Sequence, residues 1–124
     1  MEFDPLSRKA IGLAIEVHRE LRPGLLESVC EKYRVHEMLE SGLSCVSQVP
    51  IPVTYKGQTL DCGYRIDILV EDRLMMEWKG VDALQRVHEA QTLRYMKLSN
   101  SAQALLIHFN SGRLNDGLNS GSLI

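Results

Sequence analysis

The centre of the chain contains two apolar segments separated by three residues, YRIDILV at 64–70 and LMMEWK at 74–79. Each segment has the length and the aliphatic content of a buried strand. A carboxylate interrupts the first segment at Asp67, and the second ends with an acid and a base two residues apart, Glu77 and Lys79. The pattern predicts a β-hairpin with charged side chains inside an otherwise apolar sheet.

The length of the hairpin turn decides whether these charges meet. Side chains two residues apart share one face of a strand, so Glu77 and Lys79 point the same way. If the chain turns through residues 71–73, Asp67 faces Glu77 across the ladder. A two-residue turn would shift the register by one and put the two acids on opposite faces. A site made of these residues therefore requires a three-residue turn.

The chemistry of this group favours a divalent cation. Neighbouring carboxylates in a partly apolar sheet repel each other and resist ionisation, a conflict that a cation removes. Mg²⁺ prefers a few carboxylates together with water and phosphate oxygens. Lys79 would orient the attacking water or stabilise charge on the phosphoryl group. Simpler explanations are that Asp67 pairs with Arg65 and that Glu77 and Lys79 lie on a solvated face of an edge strand.

Three segments have the apolar periodicity of helices. The first begins at Asp4-Pro5, a capping residue followed by proline, and ends at Arg22-Pro23-Gly24. The second runs from about Leu26 to Leu39, with Gly42 as its C-terminal stop. The third covers roughly residues 83–98. The apolar face of the second helix is predicted to contain Leu26, Val29, Tyr33 and His36.

The remaining patterns predict strands. Residues 49–55 alternate in polarity, and two prolines place this strand at a sheet edge, because proline cannot donate to the ladder. Lys56-Gly57 predicts a turn, residues 60–70 the next strand, and residues 102–109 a final buried strand. The predicted fold is a mixed α/β (α+β) domain in the order α-α-β-β-β-α-β, a small mixed sheet flanked by helices.

Size and composition fit one globular domain. With 124 residues and 44% hydrophobic content, the whole chain, 1–124, is predicted to be a single domain with a loosely ordered tail at 110–124. No apolar run is long enough to span a bilayer, and the acidic start lacks the features of a secretion signal. Cys30, Cys45 and Cys62 are an odd, widely spaced set, which predicts free thiols and a cytoplasmic location.

The order of several short motifs resembles a known family. Asp67 followed by Glu77-Trp78-Lys79 resembles the D…(D/E)-x-K signature of the PD-(D/E)xK restriction-endonuclease-like superfamily. More specifically, the chain is similar to GxxExxY proteins over about residues 5–118, although Cys30 replaces the tyrosine that names that family. The matching stretches are GLLESVC at 24–30, QVPIPV at 48–53, YKG at 55–57, GYRID at 63–67 and HEAQTL at 88–93.

The resemblance implies a restriction-endonuclease-like core and a Mg²⁺- or Mn²⁺-dependent nuclease, acting as an endo- or exodeoxyribonuclease on DNA or, as a second choice, on RNA. It also implies that Glu27, on the second helix, joins Asp67 and Glu77 as a metal ligand. Gln91, on the third helix, resembles the polar residue of that family that reaches back towards the site. Glu27 also has a structural explanation, because the helix dipole favours an acid in the first turn.

The net charge supports an alternative function. A protein that grips a long duplex usually has a basic surplus, whereas this chain has a formal charge of −2. The alternative is a non-catalytic module on the same fold that binds nucleic acid or protein. The intact acids at Asp67 and Glu77 favour the nuclease, since a binding module does not require them. The short chain also favours a homodimer or a larger protein partner.

Overall fold

The computed structural model describes residues 4–21, 26–79, 86–99, 101, 103–108 and 118–120, and within them it contains three helices and two sheets. The helices are α1 (Pro5–Leu21), α2 (Glu27–Glu40) and α3 (Arg86–Ser99). The strands are β1 (Cys45–Pro50), β2 (Val53–Tyr55), β3 (Gln58–Leu60), β4 (Arg65–Val70), β5 (Leu74–Lys79), β6 (Gln103–His108) and β7 (Leu118–Ser120). The predicted mixed α/β class is confirmed.

The larger sheet has five strands in the order β1-β4-β5-β6-β7. β5 and β6 run parallel, and α3 lies between them in the chain, while the other neighbouring strands are antiparallel. This mixed sheet is consistent with a restriction-endonuclease-like core. β7 was not predicted from the sequence; the rest of the tail that was expected to be loosely ordered lies outside the described residues, as does the segment 80–85.

Helices cover both faces of this sheet. On one face, Ala10 of α1 and Met38 of α2 share a core with Met76. On the other face, Met96 of α3 packs with Met75. The alternation of side chains along β5 thus sends neighbouring methionines into two separate cores. None of the described helices has the combination of length and apolar content that a membrane span requires.

The start of α1 confirms the predicted cap. The Oδ1 atom of Asp4 accepts a hydrogen bond from the backbone N–H of Ser7 at 2.8 Å, and Pro5 is the first helical residue. The cap satisfies an N–H group that has no partner inside the helix. Apolar residues then recur on the buried side as far as Val17. The predicted stop at 22–24 lies outside the described residues.

The predicted apolar face of α2 is wrong. Leu26, just before the helix, and Tyr33 within it are 73% and 51% exposed, and His36 is also exposed. The buried residues are Arg34 and Met38. Apolar residues are too few in this helix to define one stripe, so packing against the sheet decides its rotation. The predicted stop is confirmed, because Gly42 has a φ of 89°, which suits glycine after a helix end.

The prediction of one continuous strand over residues 49–55 is also wrong, although its edge position is confirmed for β1, the first strand of the larger sheet. The structure divides it at Ile51 into β1 and β2, which belong to different sheets. Ile51 is 1% exposed, and its N–H donates to the carbonyl of Tyr64 at 2.9 Å. The flanking prolines break the ladder because neither has an N–H group. The next predicted strand, 60–70, is likewise divided into β3 and β4.

Both predicted turns are confirmed. Lys56 and Gly57 join β2 to β3 with φ values of 48° and 79°, as a tight hairpin turn requires. Residues 71–73 join β4 to β5, and Val70 pairs with Leu74. The three-residue turn therefore sets the register on which the charged group depends.

Candidate active site

The acids of β4 and β5 meet where the two strands stop pairing regularly. The register continues as far as Ile68 opposite Met76. At the next position, side chains replace the ladder bonds. The N–H of Asp67 donates to Oε1 of Glu77 at 3.2 Å, and the N–H of Trp78 donates to Oδ2 of Asp67 at 2.8 Å. Each carboxylate is thus fixed through one oxygen by the backbone of the opposite strand.

Burial sets the protonation of this pair. Glu77 is only 3% exposed. Loss of water and then the negative charge of Asp67 raise the pKa of Glu77 to about 8, against an opposing effect of the Lys79 charge. A carboxyl group with such a pKa keeps its proton at neutral pH unless a cation compensates its charge. The two acids therefore form a site that favours a positive ion.

Lys79 lies on the same face of β5 as Glu77, and α3 supplies its partner. Nζ of Lys79 donates a hydrogen bond to Oε1 of Gln91 at 2.7 Å. The amide of Gln91 thereby fixes the direction of the ammonium group beside the acids. The structure brings together four of the five residues singled out in the sequence: Asp67, Glu77, Lys79 and Gln91.

Glu27, the fifth of these residues, forms an ion pair with Arg34 of the same helix. Arg34 is buried, and its guanidinium carbon lies 4.2 Å from the centroid of the Trp78 ring. Trp78 is buried on the opposite side of β5 from Glu77, as the sequence predicts. The cation–π contact thus anchors Arg34 to the core, and the ion pair joins Glu27 to Arg34.

Glu31 is an acid of this region that was not predicted from the sequence. It lies one helical turn after Glu27, and its Oε1 accepts a hydrogen bond from Nε2 of Gln48 at 2.8 Å. Burial raises the pKa of Glu31, and the charges of Asp67 and Glu27 raise it further, so the carboxyl lies within electrostatic range of both acids. The spacing of four residues from Glu27 was the signal in the sequence, because such residues share one helix face.

Gln48 has an unusual backbone conformation beside this group. Its φ is 54°, in the left-handed region that side chains with a Cβ disfavour. In the ladder between β1 and β4, Ser47 pairs with Ile68 and Val49 pairs with Ile66. Gln48 lies opposite Asp67 between these two pairs, but Gln48 and Asp67 do not pair. This irregularity therefore interrupts the sheet beside Asp67 on the side of β1, whereas the acids interrupt it on the side of β5. Backbone strain of this kind is concentrated at functional sites.

The donors present fit a cation that needs few protein ligands. Asp67 and Glu77 each use one oxygen in the backbone bonds above, and each has a second oxygen outside those bonds. Among the residues that the structure describes, no cluster of three or more His, Cys, Asp or Glu side chains is arranged to hold a metal. A pair of carboxylates, completed by water and substrate phosphate, matches Mg²⁺ better than ions that prefer a full protein cage.

Comparison with known families agrees with this geometry. A model of the PD-(D/E)XK nuclease superfamily matches residues 4–120, nearly the entire chain. The protein therefore belongs to the PD-(D/E)XK nuclease superfamily. Searches of curated proteins and of solved structures found no match.

Proposed function

We propose that this protein is a metal-dependent nuclease that hydrolyses phosphodiester bonds in DNA. The observation that supports this proposal is the meeting of Asp67 and Glu77 with Lys79 at the end of the β4–β5 pairing. A metal-dependent nuclease needs a cation beside the scissile phosphate, and the acidic pair of Asp67 and Glu77 favours a bound cation. Membership in the nuclease superfamily points to the same class of substrate.

In the proposed mechanism, residues of the chain would position the metal ion and stabilise negative charge on the phosphoryl group. Asp67 and Glu77 would hold Mg²⁺ or Mn²⁺, and backbone N–H groups already fix the direction of each carboxylate. When bound there, such an ion would supply Lewis acidity to the phosphoryl group. Lys79, directed by Gln91, stabilises negative charge as it develops on the phosphoryl oxygens.

The third acidic ligand has two candidates on α2. The family resemblance favours Glu27, whose carboxylate is paired with Arg34 and would have to exchange that partner for the metal. Glu31 is favoured by its electrostatic interaction with Asp67. We propose Glu27 as the ligand, and the matched variants Glu27→Gln and Glu31→Gln separate the two. The variant that removes a true ligand weakens Mn²⁺ binding, and the other leaves it unchanged.

Two finer assignments belong to the same proposal. The order of motifs supports membership in the GxxExxY family, although Cys30 stands at the position of the naming tyrosine. The three cysteines are free thiols, which supports the cytoplasm as the location. A homodimer or a larger protein partner stays a prediction, which sedimentation of the purified protein tests.

Cleavage assays with added metal test the nuclease directly. Plasmid DNA, single-stranded DNA and RNA are incubated with the wild type in Mg²⁺, Mn²⁺ or EDTA. We expect metal-dependent cleavage of DNA that is lost in Asp67→Asn and Glu77→Gln. Glu40→Gln is the matched control, because it removes an exposed carboxylate of α2 and should cleave as the wild type does.

Calorimetric titration with Mn²⁺ separates the nuclease from a binding module. Saturable binding that disappears in Asp67→Ala and Glu77→Ala, without cleavage of any nucleic acid, would favour the non-catalytic alternative. The acidic net charge of −2 is the observation on that side. Absence of both metal binding and cleavage in the wild type would overturn the proposed site.

A further inference from the structure

A cavity of about 530 Å³ opens between the β2–β3 hairpin and α3. Its size is within the range of small-molecule sites, roughly 300–1,000 Å³. Three large side chains that line it are exposed to solvent: Tyr64 by 44%, Val87 by 64% and Leu98 by 38%. A concentration of exposed apolar surface in one cavity indicates a binding site.

This cavity adjoins the candidate active site through α3. Gln91, whose Oε1 accepts the hydrogen bond from Lys79, also lines the cavity. Tyr95 lines it as well, and the phenol lies within electrostatic range of Glu77 and Asp67. A molecule in the cavity would therefore be next to the residues proposed to act on the phosphate.

The wall of the cavity suits a planar aromatic group. The rings of Tyr64 and Tyr95 are tilted by 52° with centroids 5.5 Å apart, so Tyr95 supports Tyr64 from one side. The exposed part of Tyr64 offers a face on which a nucleobase can stack. Arg94 adds a guanidinium group to the lining, which suits a phosphate.

We propose that this cavity binds an unpaired nucleobase of the DNA strand, so that the protein prefers single-stranded or locally opened DNA to continuous duplex. This inference rests on the proposed nuclease function and names its substrate class. Inside a continuous duplex, neighbouring base pairs cover both faces of each base, so a base must leave the stack before it can stack on Tyr64. Recognition by stacking also needs little positive charge beyond the cavity, in keeping with a formal charge of −2.

Fluorescence anisotropy in EDTA tests the preference while cleavage is blocked. A labelled single-stranded oligodeoxynucleotide is compared with the duplex of the same sequence. Tyr64→Ala removes the stacking face, and Tyr64→Phe keeps it. Tyr55→Ala is the matched control, because Tyr55 is a 70% exposed tyrosine of the neighbouring β2–β3 hairpin that does not line the cavity.

A second pair of variants fills the cavity without removing a side chain from its wall. Ala90 is an exposed residue of α3 that lines the cavity, and Ala90→Phe would occupy its space. Leu93→Phe puts the same ring on the same helix outside the cavity. Because both positions are exposed or nearly so, both variants should fold, and circular dichroism verifies this.

We expect the wild type to bind the single strand more tightly than the duplex. Tyr64→Ala and Ala90→Phe should weaken single-strand binding by about 10- to 100-fold, the range for loss of one base stack. Tyr64→Phe, Tyr55→Ala and Leu93→Phe should bind as the wild type does. Equal affinity for strand and duplex, no binding of either, or equal losses in the control variants would overturn the inference.

The outcome for this cavity is separate from the outcome for the nuclease. If the wild type cleaves DNA and Tyr64→Ala cleaves every substrate equally well, the cavity proposal fails and the nuclease stands. If Tyr64→Ala abolishes binding of the single strand while neither the wild type nor the variant cleaves DNA, the nuclease proposal fails and the cavity proposal stands. Binding of apolar peptides instead of DNA would assign the cavity to a protein partner and overturn the proposal.

Discussion

Replacement of Glu77 with glutamine tests whether the buried carboxylate of Glu77 and the half-buried carboxylate of Asp67 oppose each other. Burial, and then the charge of Asp67, raises the pKa of Glu77 to about 8 from 4.5. Between these two pH values the folded protein binds one more proton than the unfolded chain. Glutamine has nearly the same shape, and its oxygen can still accept the N–H bond of Asp67, but it carries no charge. The variant therefore removes the conflict and keeps the packing.

The sign and the size of the effect follow from this pKa. Because the pKa is raised in the folded state, the contribution to stability is fully present below pH 4.5 and is lost as the pH rises towards 8. One extra bound proton gives a slope of up to about 1.4 kcal/mol per pH unit. Over the whole interval from pH 4.5 to about 8 the loss is at most on the order of 5 kcal/mol. Glu77→Gln should lack this slope.

Urea unfolding in EDTA measures the difference. The fluorescence of Trp78, the one tryptophan in the sequence, reports unfolding from a buried position next to Glu77. From pH 5 to pH 8 the free energy of unfolding of Glu77→Gln should rise steadily relative to that of the wild type. Glu40→Gln should show no such pH-dependent difference. Parallel curves for Glu77→Gln and the wild type would refute the proposed conflict between the acids.

Three other changes test the site and the fold. Lys79→Met should reduce DNA cleavage about 100-fold or more, because it removes a preorganised cation, while calorimetry shows that Mn²⁺ binding is kept. Gln48→Ala should be less stable to urea than Gln48→Gly by about 1 kcal/mol, because φ at this position is 54°. Met76→Ala should lower the free energy of unfolding by about 2–5 kcal/mol, because Met76 is fully buried between the sheet and α1.

Each of these three predictions would be contradicted by a particular result. Cleavage by Lys79→Met at the rate of the wild type would remove the lysine from the mechanism. Equal stability of the two Gln48 variants would mean that the left-handed conformation is not strained. Thermal unfolding of Met76→Ala at the wild-type temperature would show that this side chain is not part of the core.

Local patterns in the sequence predicted the centre of the fold well. The apolar segments around Asp67 and Glu77 fixed two strands, and the three residues between them fixed the turn. The register of a hairpin depends on turn length and on the alternation of buried side chains, both of which are local. For that reason the meeting of the two acids could be predicted before any tertiary contact was known.

Predictions failed where a choice depended on distant parts of the chain. The predicted buried face of α2 was wrong because Arg34 is buried through its contact with Trp78, 44 positions further along the sequence. The strand at 49–55 was wrong because Ile51 bonds to Tyr64 and leaves the first sheet. In both cases the sequence alone offers a plausible local pattern, and packing against a remote partner selects another.

The sequence by itself determined the mixed α/β class, the cap at Asp4, both turns and the proximity of Asp67 to Glu77, since each depends on residue spacing within one element or one hairpin. Only the tertiary structure decided that Gln91 reaches Lys79, that Glu27 pairs with Arg34 and that Glu31 lies near Asp67. These contacts depend on how helices rotate and dock on the sheet. Burial of apolar area drives that docking without direction, so spacing along the chain does not specify which polar groups it brings together.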